Sequence, residues 1–190
     1  MKKRVLVVED ESITRMDIAM MLEDNGYEVI AQASNGEVAL EKAFSLNPDL
    51  IIMDIKMPKL NGLKASEIIS KKLHTPILIL TAYSQREYID KAKQANILGY
   101  LVKPITEASL IPAVEIALKQ AENANSYREQ VQNINKQLQE RKVVEKAKGI
   151  IMKKFNVHED DAFKKMRKIS MNKQVTLEKV AKHIILKYDV

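Results

Sequence analysis

The chain has no cysteine, so it holds neither a disulfide framework nor a thiolate metal site, and its three histidines are too scattered to make a zinc centre. The absence fits a reducing cytoplasm. Apolar runs of membrane length are also missing. The N-terminus, MKKRVLVVEDE, meets two acids after a few apolar residues, far short of the about 18 residues that a span needs. The sequence therefore reads as a soluble, unprocessed, cytoplasmic protein with no membrane partner. Glycine is scarce, 5 residues in 190, and none follows Gly149. That argues against a DNA-binding helix-turn-helix in the last third, because its tight turn often contains glycine. Residues 121–190 also lack a Gly-rich nucleotide loop, a metal-ligand cluster and a nucleophile with a paired base, so binding is the better class of output there. Aromatic residues make up only 5%, too few for a sheet that stacks nucleic-acid bases.

What is present divides unevenly. Residues 1–120 hold 15 Lys and Arg against 16 Asp and Glu, whereas residues 121–190 hold 16 against 9. All the excess positive charge therefore sits in the last third, as expected of a part that meets a polyanion, either nucleic acid or an anionic membrane surface. A solvated helical surface is the plainer alternative.

The first 120 residues alternate short aliphatic runs, RVLVVED (4–10), YEVIAQAS (27–34), DLIIMD (49–54), PILILT (76–81) and GYLV (99–102), with helix-like segments. Continuous apolar strands suit a parallel sheet covered on both faces, joined by right-handed crossovers. The expected fold class is α/β, a doubly wound five-stranded parallel sheet, followed by a long helical linker and a small three-helix C-terminal domain. Turn signals at Asn25-Gly26, Asn47-Pro48, Asn61-Gly62 and Thr75-Pro76 agree. In the long helix Ala117, Ala124, Val131 and Leu138 recur every seven residues, with Tyr127 and Ile134 between them, the pattern of a coiled-coil seam or of a helix packed on its own domain. Expected boundaries are 1–120, a coiled-coil-like linker over 121–135, and a helical domain over 136–190. Its later helices are expected to start near Asn156 or His158 and near Thr176.

Glu9 and Asp10 end the first strand and Asp54 ends the third, so these carboxylates converge at the carboxyl edge of the sheet beside its switch point. Three acids in one cleft repel one another unless a cation intervenes, and oxygen ligands alone favour Mg²⁺ or Mn²⁺. Such a site suits phosphoryl chemistry, with Thr81 and Lys103 at the ends of the fourth and fifth strands placed to contact the group.

In order and placement, Glu9-Asp10, Asp54 in MDIKMPKLNG, Thr81-Ala82, Tyr100 and Lys103-Pro104 resemble response-regulator receiver domains. The resemblance implies that Asp54 is the phosphoacceptor, Asp10 a direct metal ligand, Glu9 a water-mediated one, and the backbone carbonyl of Lys56 a further ligand. It implies that Lys103 binds the phosphoryl group and that Thr81 hydrogen-bonds to it, with Ala82 leaving the site open and Tyr100 turning inward. Lys103-Pro104 is similar to the family's cis peptide. The chain would then be a signalling switch rather than a metabolic enzyme, catalysing its own phosphorylation from the phosphohistidine of a sensor histidine kinase.

The segment from Arg141 resembles the ANTAR family, the RNA-binding module of transcription antitermination regulators. It does so through Ala147-Lys148-Gly149-Ile150-Ile151-Met152, the acidic start before Ala162-Phe163, then Arg167, Ser170-Met171 and Val180-Ala181. The family commonly has Arg after the position of Met171, where this chain has Lys173 and Gln174. The resemblance implies a dimer, formed on phosphorylation, that recognises two neighbouring RNA hairpins through their loop bases and prevents a terminator from forming. Loops are where RNA sequence is readable, because the A-form major groove is too narrow for side chains. Arg141, Lys148, Lys153, Arg167 and Lys173 are candidates to position phosphates. Gly149, opposite the apolar stripe and flanked by Met152, either lets RNA approach the bare backbone or marks a helix end. The alternative function is a phosphorylation-controlled DNA-binding or protein-interaction regulator with a basic helical output.

Overall fold

A computed structural model describes residues 1–82 and 97–188. The chain divides into two compact units, Met1–Asn125 and Ser126–Val190. The first unit contains strands β1 (Arg4–Val8), β2 (Glu28–Ala33), β3 (Leu50–Asp54), β4 (Ile77–Thr81) and β5 (Ile97–Val102). Helices α1 (Ser12–Asp24), α2 (Gly36–Leu46) and α3 (Gly62–Ser70) join the earlier strands, and the long helix α4 (Glu107–Phe155) follows β5. The helix expected between the fourth and fifth strands lies outside the described residues.

The strands form one parallel sheet in the order β2-β1-β3-β4-β5. Strands β3 and β4 are buried along their whole length, while edge strands β2 and β5 are partly exposed. Because side chains alternate across a sheet, each central strand feeds two cores. Val5, Val7, Leu50, Ile52, Leu78 and Leu80 pack with Ile18 and Leu22 of α1 and with Leu110 and Val114 of α4. Leu6, Val8, Ile51, Met53, Ile77 and Ile79 pack on the other face with Ala39 and Ala43 of α2 and with Ala65 and Ile69 of α3. The uninterrupted apolar runs are thus explained: both faces of the middle strands are covered. The chain runs from β1 outward to β2 and then back across to β3, which puts the switch point beside β1.

Asparagines begin α2 and α3. The Asn35 side chain accepts from the Glu37 and Val38 amides, and that of Asn61 accepts from Lys64 N. Gly62 has a spatial reason. A methyl group there would collide with the Asp54 carbonyl, so only glycine lets α3 start this close to the end of β3.

In the second unit, the end of α4 packs with α5 (Glu159–Lys173) and α6 (Leu177–Tyr188) around Ala147, Ile151, Ala162, Met166, Val180, Ala181 and Ile184. His158 occupies the N-cap of α5 but makes no side-chain capping bond, and Asn156, at φ 48°, instead belongs to the left-handed turn that ends α4. Thr176 Oγ1 accepts from Lys179 N at 3.3 Å and caps α6. Gly149 lies inside α4, not at its end, and an added methyl group would meet open space. The helix-end reading is therefore corrected: α4 continues through Phe155 because Ile150 and Ile151 keep packing on the core.

The two glycines make opposite predictions. Gly149→Ala should raise stability by about 0.5–1 kcal/mol, the usual helix-interior difference. Gly62→Ala should lower stability by at least about 1 kcal/mol through overpacking. Urea unfolding of both variants checks the pair.

Candidate functional site

The acid cleft is built by strand ends. Glu9 follows β1, its amide donating to the Ala33 carbonyl at 3.0 Å and so extending the ladder by one residue. Asp54 is the last residue of β3, and Asp10 follows Glu9 at the surface. One carboxylate oxygen from each of the three lies within 4.8 Å of the other two. Glu9 is 1% exposed and Asp54 5%, whereas Asp10 is open to solvent. Lys103, just past β5, places Nζ 2.7 Å from Glu9 Oε2 and 3.2 Å from Asp54 Oδ2. Asp54 Oδ1 also accepts from the Ile55 amide at 2.8 Å.

Burial pushes the Glu9 and Asp54 carboxyls above the ordinary carboxylate range, although Lys103 pulls both back. Mutual repulsion adds to the rise: Asp54 acts on Glu9, and Asp10 on Asp54. Burial alone would lower Lys103, but Glu9 and Asp54 outweigh it and hold the ammonium above its usual value. Among the described residues, one cation thus faces three acids. Glu9 Oε2 is buried and, despite the close ammonium, takes no hydrogen bond of proper geometry. An oxygen-only donor set with surplus negative charge fits a hard divalent cation.

The remaining expected residues of the first unit surround this cleft in sequence and fold. Thr81 ends β4 and is buried, and Ala82 beside it is exposed. Tyr100 lies on β5 with 51% of its surface exposed. The Lys103–Pro104 peptide is cis. Lys56 is exposed in the loop after β3. Arg15 was not singled out from the sequence, yet its Nη1 donates to the Glu9 carbonyl at 2.6 Å and pins the acidic turn from α1. Carbonyl acceptors leave no mark in a sequence; the only hint is an Arg one helical turn into α1.

In the second unit the expected basic residues do not form one cluster. Lys153, Arg167 and Lys173 are exposed, on α4, on the middle of α5 and at its end. Arg141 is exposed and lines a groove of about 440 Å³ with Val144, Glu145, Phe163, Leu177 and Glu178. Met152 is half-buried against the helical core. Lys148 differs from the others. Only 8% exposed, it holds Glu145 and Glu159 at 2.6 Å each and so ties α4 to the first residue of α5. The bonds to Glu145 and then Glu159 raise its pKa.

Tyr127, Val131, Ile134 and Leu138 on α4 are 48–67% exposed, which leaves an apolar stripe on the helix. Ala117, the first residue of the expected seam, is instead buried in the core of the first unit and lies outside this stripe. The heptad spacing runs on through Ala117, but the sheet has already claimed that side chain.

Residues 5–115 match the response regulator receiver domain family, and residues 132–185 match the ANTAR domain family. The chain is 40% identical to transcriptional regulatory protein PdtaR of Mycobacterium tuberculosis, over 96% of this chain and 89% of that protein. It is 36% identical to chemotaxis protein CheY of Thermotoga maritima, over 60% of this chain and 96% of that one. The crystal structure of the N-terminal domain of a response regulator/sensory box/GGDEF 3-domain protein from Carboxydothermus hydrogenoformans is similar with a TM-score of 0.60 and 35% identity. That match covers 64% of this chain and 98% of the other.

The raised Asp54 pKa gives a pH prediction for the metal-free protein. A carboxyl that ionises less readily when folded favours the fold below its ordinary pKa, and that contribution is lost as pH rises through the raised value. In chelator at neutral pH, Asp54→Asn should therefore be more stable than the wild type, with the difference shrinking as pH falls toward about 4. Thermal unfolding across pH checks this; a difference independent of pH contradicts it.

Proposed function

The chain belongs to the response regulators that join a receiver domain to an ANTAR domain, and from that premise we propose that it is a phosphorylation-controlled RNA-binding switch that prevents transcription termination. The observation that carries the reading is the cleft in which Lys103 touches Glu9 and Asp54 beside Asp10. Asp54 is the phosphoacceptor. Its carboxylate forms an O–P bond with the phosphoryl group of a sensor kinase's phosphohistidine. The P–N bond breaks, and its electron pair stays on the imidazole nitrogen, which picks up a proton. Lys103 remains charged and neutralises the phosphoryl oxygens, and Ile55 N keeps Asp54 oriented through Oδ1.

Glu9, Asp10, Asp54 and the Lys56 carbonyl would hold Mg²⁺, or Mn²⁺, which supplies charge neutralisation for the attacking and transferred oxygens. Thr81 hydrogen-bonds the phosphorylated product, and Ala82 keeps its approach open. Tyr100, now largely outward, is the side chain whose burial reports the active form. A groove of about 420 Å³, lined by Glu11, Thr14, Asp17, Met21, Lys103 and Pro104, opens beside the cleft and gives the donor protein a place to approach.

The output is RNA. The last 70 residues carry the positive excess, and a second copy pairs through Tyr127, Val131, Ile134 and Leu138, so that two modules engage two neighbouring hairpins. Lys153, Arg167 and Lys173 contact phosphates, Arg141 and Gly149 lie at the approach to the loops, and Lys148 holds the helices that present them.

Two measurements test this reading. With Mg²⁺ and a small phosphodonor such as acetyl phosphate, the wild type should gain one phosphoryl group, while Asp54→Asn or chelation should give none; incorporation in Asp54→Asn overturns the phosphoacceptor. In filter binding, tandem stem–loop RNAs should be retained in preference to duplex DNA, with affinity falling as salt rises. Equal retention of both overturns the RNA output.

A further inference from the structure

The ends of α4 and α6 bring together an aromatic and basic cluster that the expected RNA contacts do not include. The Phe155 and Tyr188 rings meet edge to face, 6.1 Å between centroids and 89° between planes. Phe155 is 49% exposed, although it sits one turn past Ile151, where the helix is still packing on its core. Three ammonium groups crowd the pair. Lys154 Nζ is 4.4 Å and Lys187 Nζ 5.3 Å from the Tyr188 centroid, and Lys165 Nζ is 5.3 Å from that of Phe155. These distances lie within the cation–π range of about 6 Å. Among the described residues no carboxylate pairs with any of the three lysines, whereas Lys148 and Lys182 of the same unit each have glutamate partners.

We propose that the exposed Phe155 ring, braced by its perpendicular contact with Tyr188, is a stacking platform for an unpaired RNA base, with Lys154, Lys165 and Lys187 holding the phosphates on either side of it. The proposal rests on the RNA reading above and deepens it. An exposed aromatic ring beside cations that no described carboxylate pairs with matches a nucleotide in both parts, a flat π face and an anionic backbone. A base in a paired stem has its faces covered by its neighbours, so the platform selects loops over stems. Lys154 alone would be satisfied by the negative end of α4, but that explains neither the exposed Phe155 ring nor Lys165, which reaches it from α5.

The chain has no tryptophan, so Phe155→Trp introduces a single fluorescent reporter at the platform. Titrated into the full-length dimer-competent chain, tandem stem–loop RNAs with randomised loops should quench this tryptophan, while blunt duplex RNA of the same length should not. In filter binding with the same pool, Phe155→Leu should weaken retention about tenfold or more, Phe155→Tyr should stay close to wild type, and far-UV circular dichroism should show all variants equally helical. Lys154, Lys165 and Lys187 changed together to Gln should lower the salt dependence as well as the affinity. Stem–loop binding by the wild type with no quenching and no loss in Phe155→Leu would overturn the platform and leave the RNA reading standing. A wild type that does not prefer stem–loops overturns both. Quenching by anionic phospholipid vesicles in place of RNA assigns the cluster to a membrane surface and also overturns the proposal.

Discussion

The receiver unit depends on a charge imbalance held at one edge of its sheet. Glu9 and Asp54 are buried by the two apolar cores on which β1 and β3 sit, and among the described residues Lys103 is the one cation that reaches both. Their burial makes ionisation costly, yet their chemistry requires them ionised. On the function proposed above, a divalent cation and a phosphoryl group would be two ligands of opposite charge for this cleft, the acids taking the first and Lys103 the second. The surrounding architecture serves this arrangement. Gly62 lets α3 close on Asp54, and Arg15 fixes the turn that carries Glu9 and Asp10.

Much of this was legible in the sequence because it follows from alternation and from where apolar runs stop. The run LIIMD ends on Asp54 and RVLVVED ends on Glu9 and Asp10, so once the runs are taken as parallel strands the acids must meet. Other features were not legible. Lys148 reads as one more surface lysine on a basic helix, but Glu159 lies eleven residues on, across a turn, and the fold joins them. Phe155 ends α4 and Tyr188 ends α6, and composition alone, with its 5% aromatics, hid their pairing. Ala117 shows the reverse error: a regular heptad spacing continued into a segment where burial had another cause.

Gly149 connects the sequence to the second unit's function. Its helix tolerates a residue that weakens it, and no neighbour requires the missing methyl group. The helix gives up stability at a half-buried glycine and, one residue earlier, uses a buried lysine to tie itself to α5. The exposed stripe from Tyr127 to Leu138 is the face through which the proposed pairing would run. Pairing joins the two halves of the account, because phosphorylation can change RNA affinity only if it favours a form that binds RNA better.

The most direct test compares the affinity of the full chain for a tandem stem–loop RNA before and after phosphorylation with acetyl phosphate and Mg²⁺, at one fixed salt concentration. The account predicts tighter binding by the phosphorylated protein, with the gain absent when only one stem–loop is offered. Equal affinity of the two forms for the tandem RNA would contradict it.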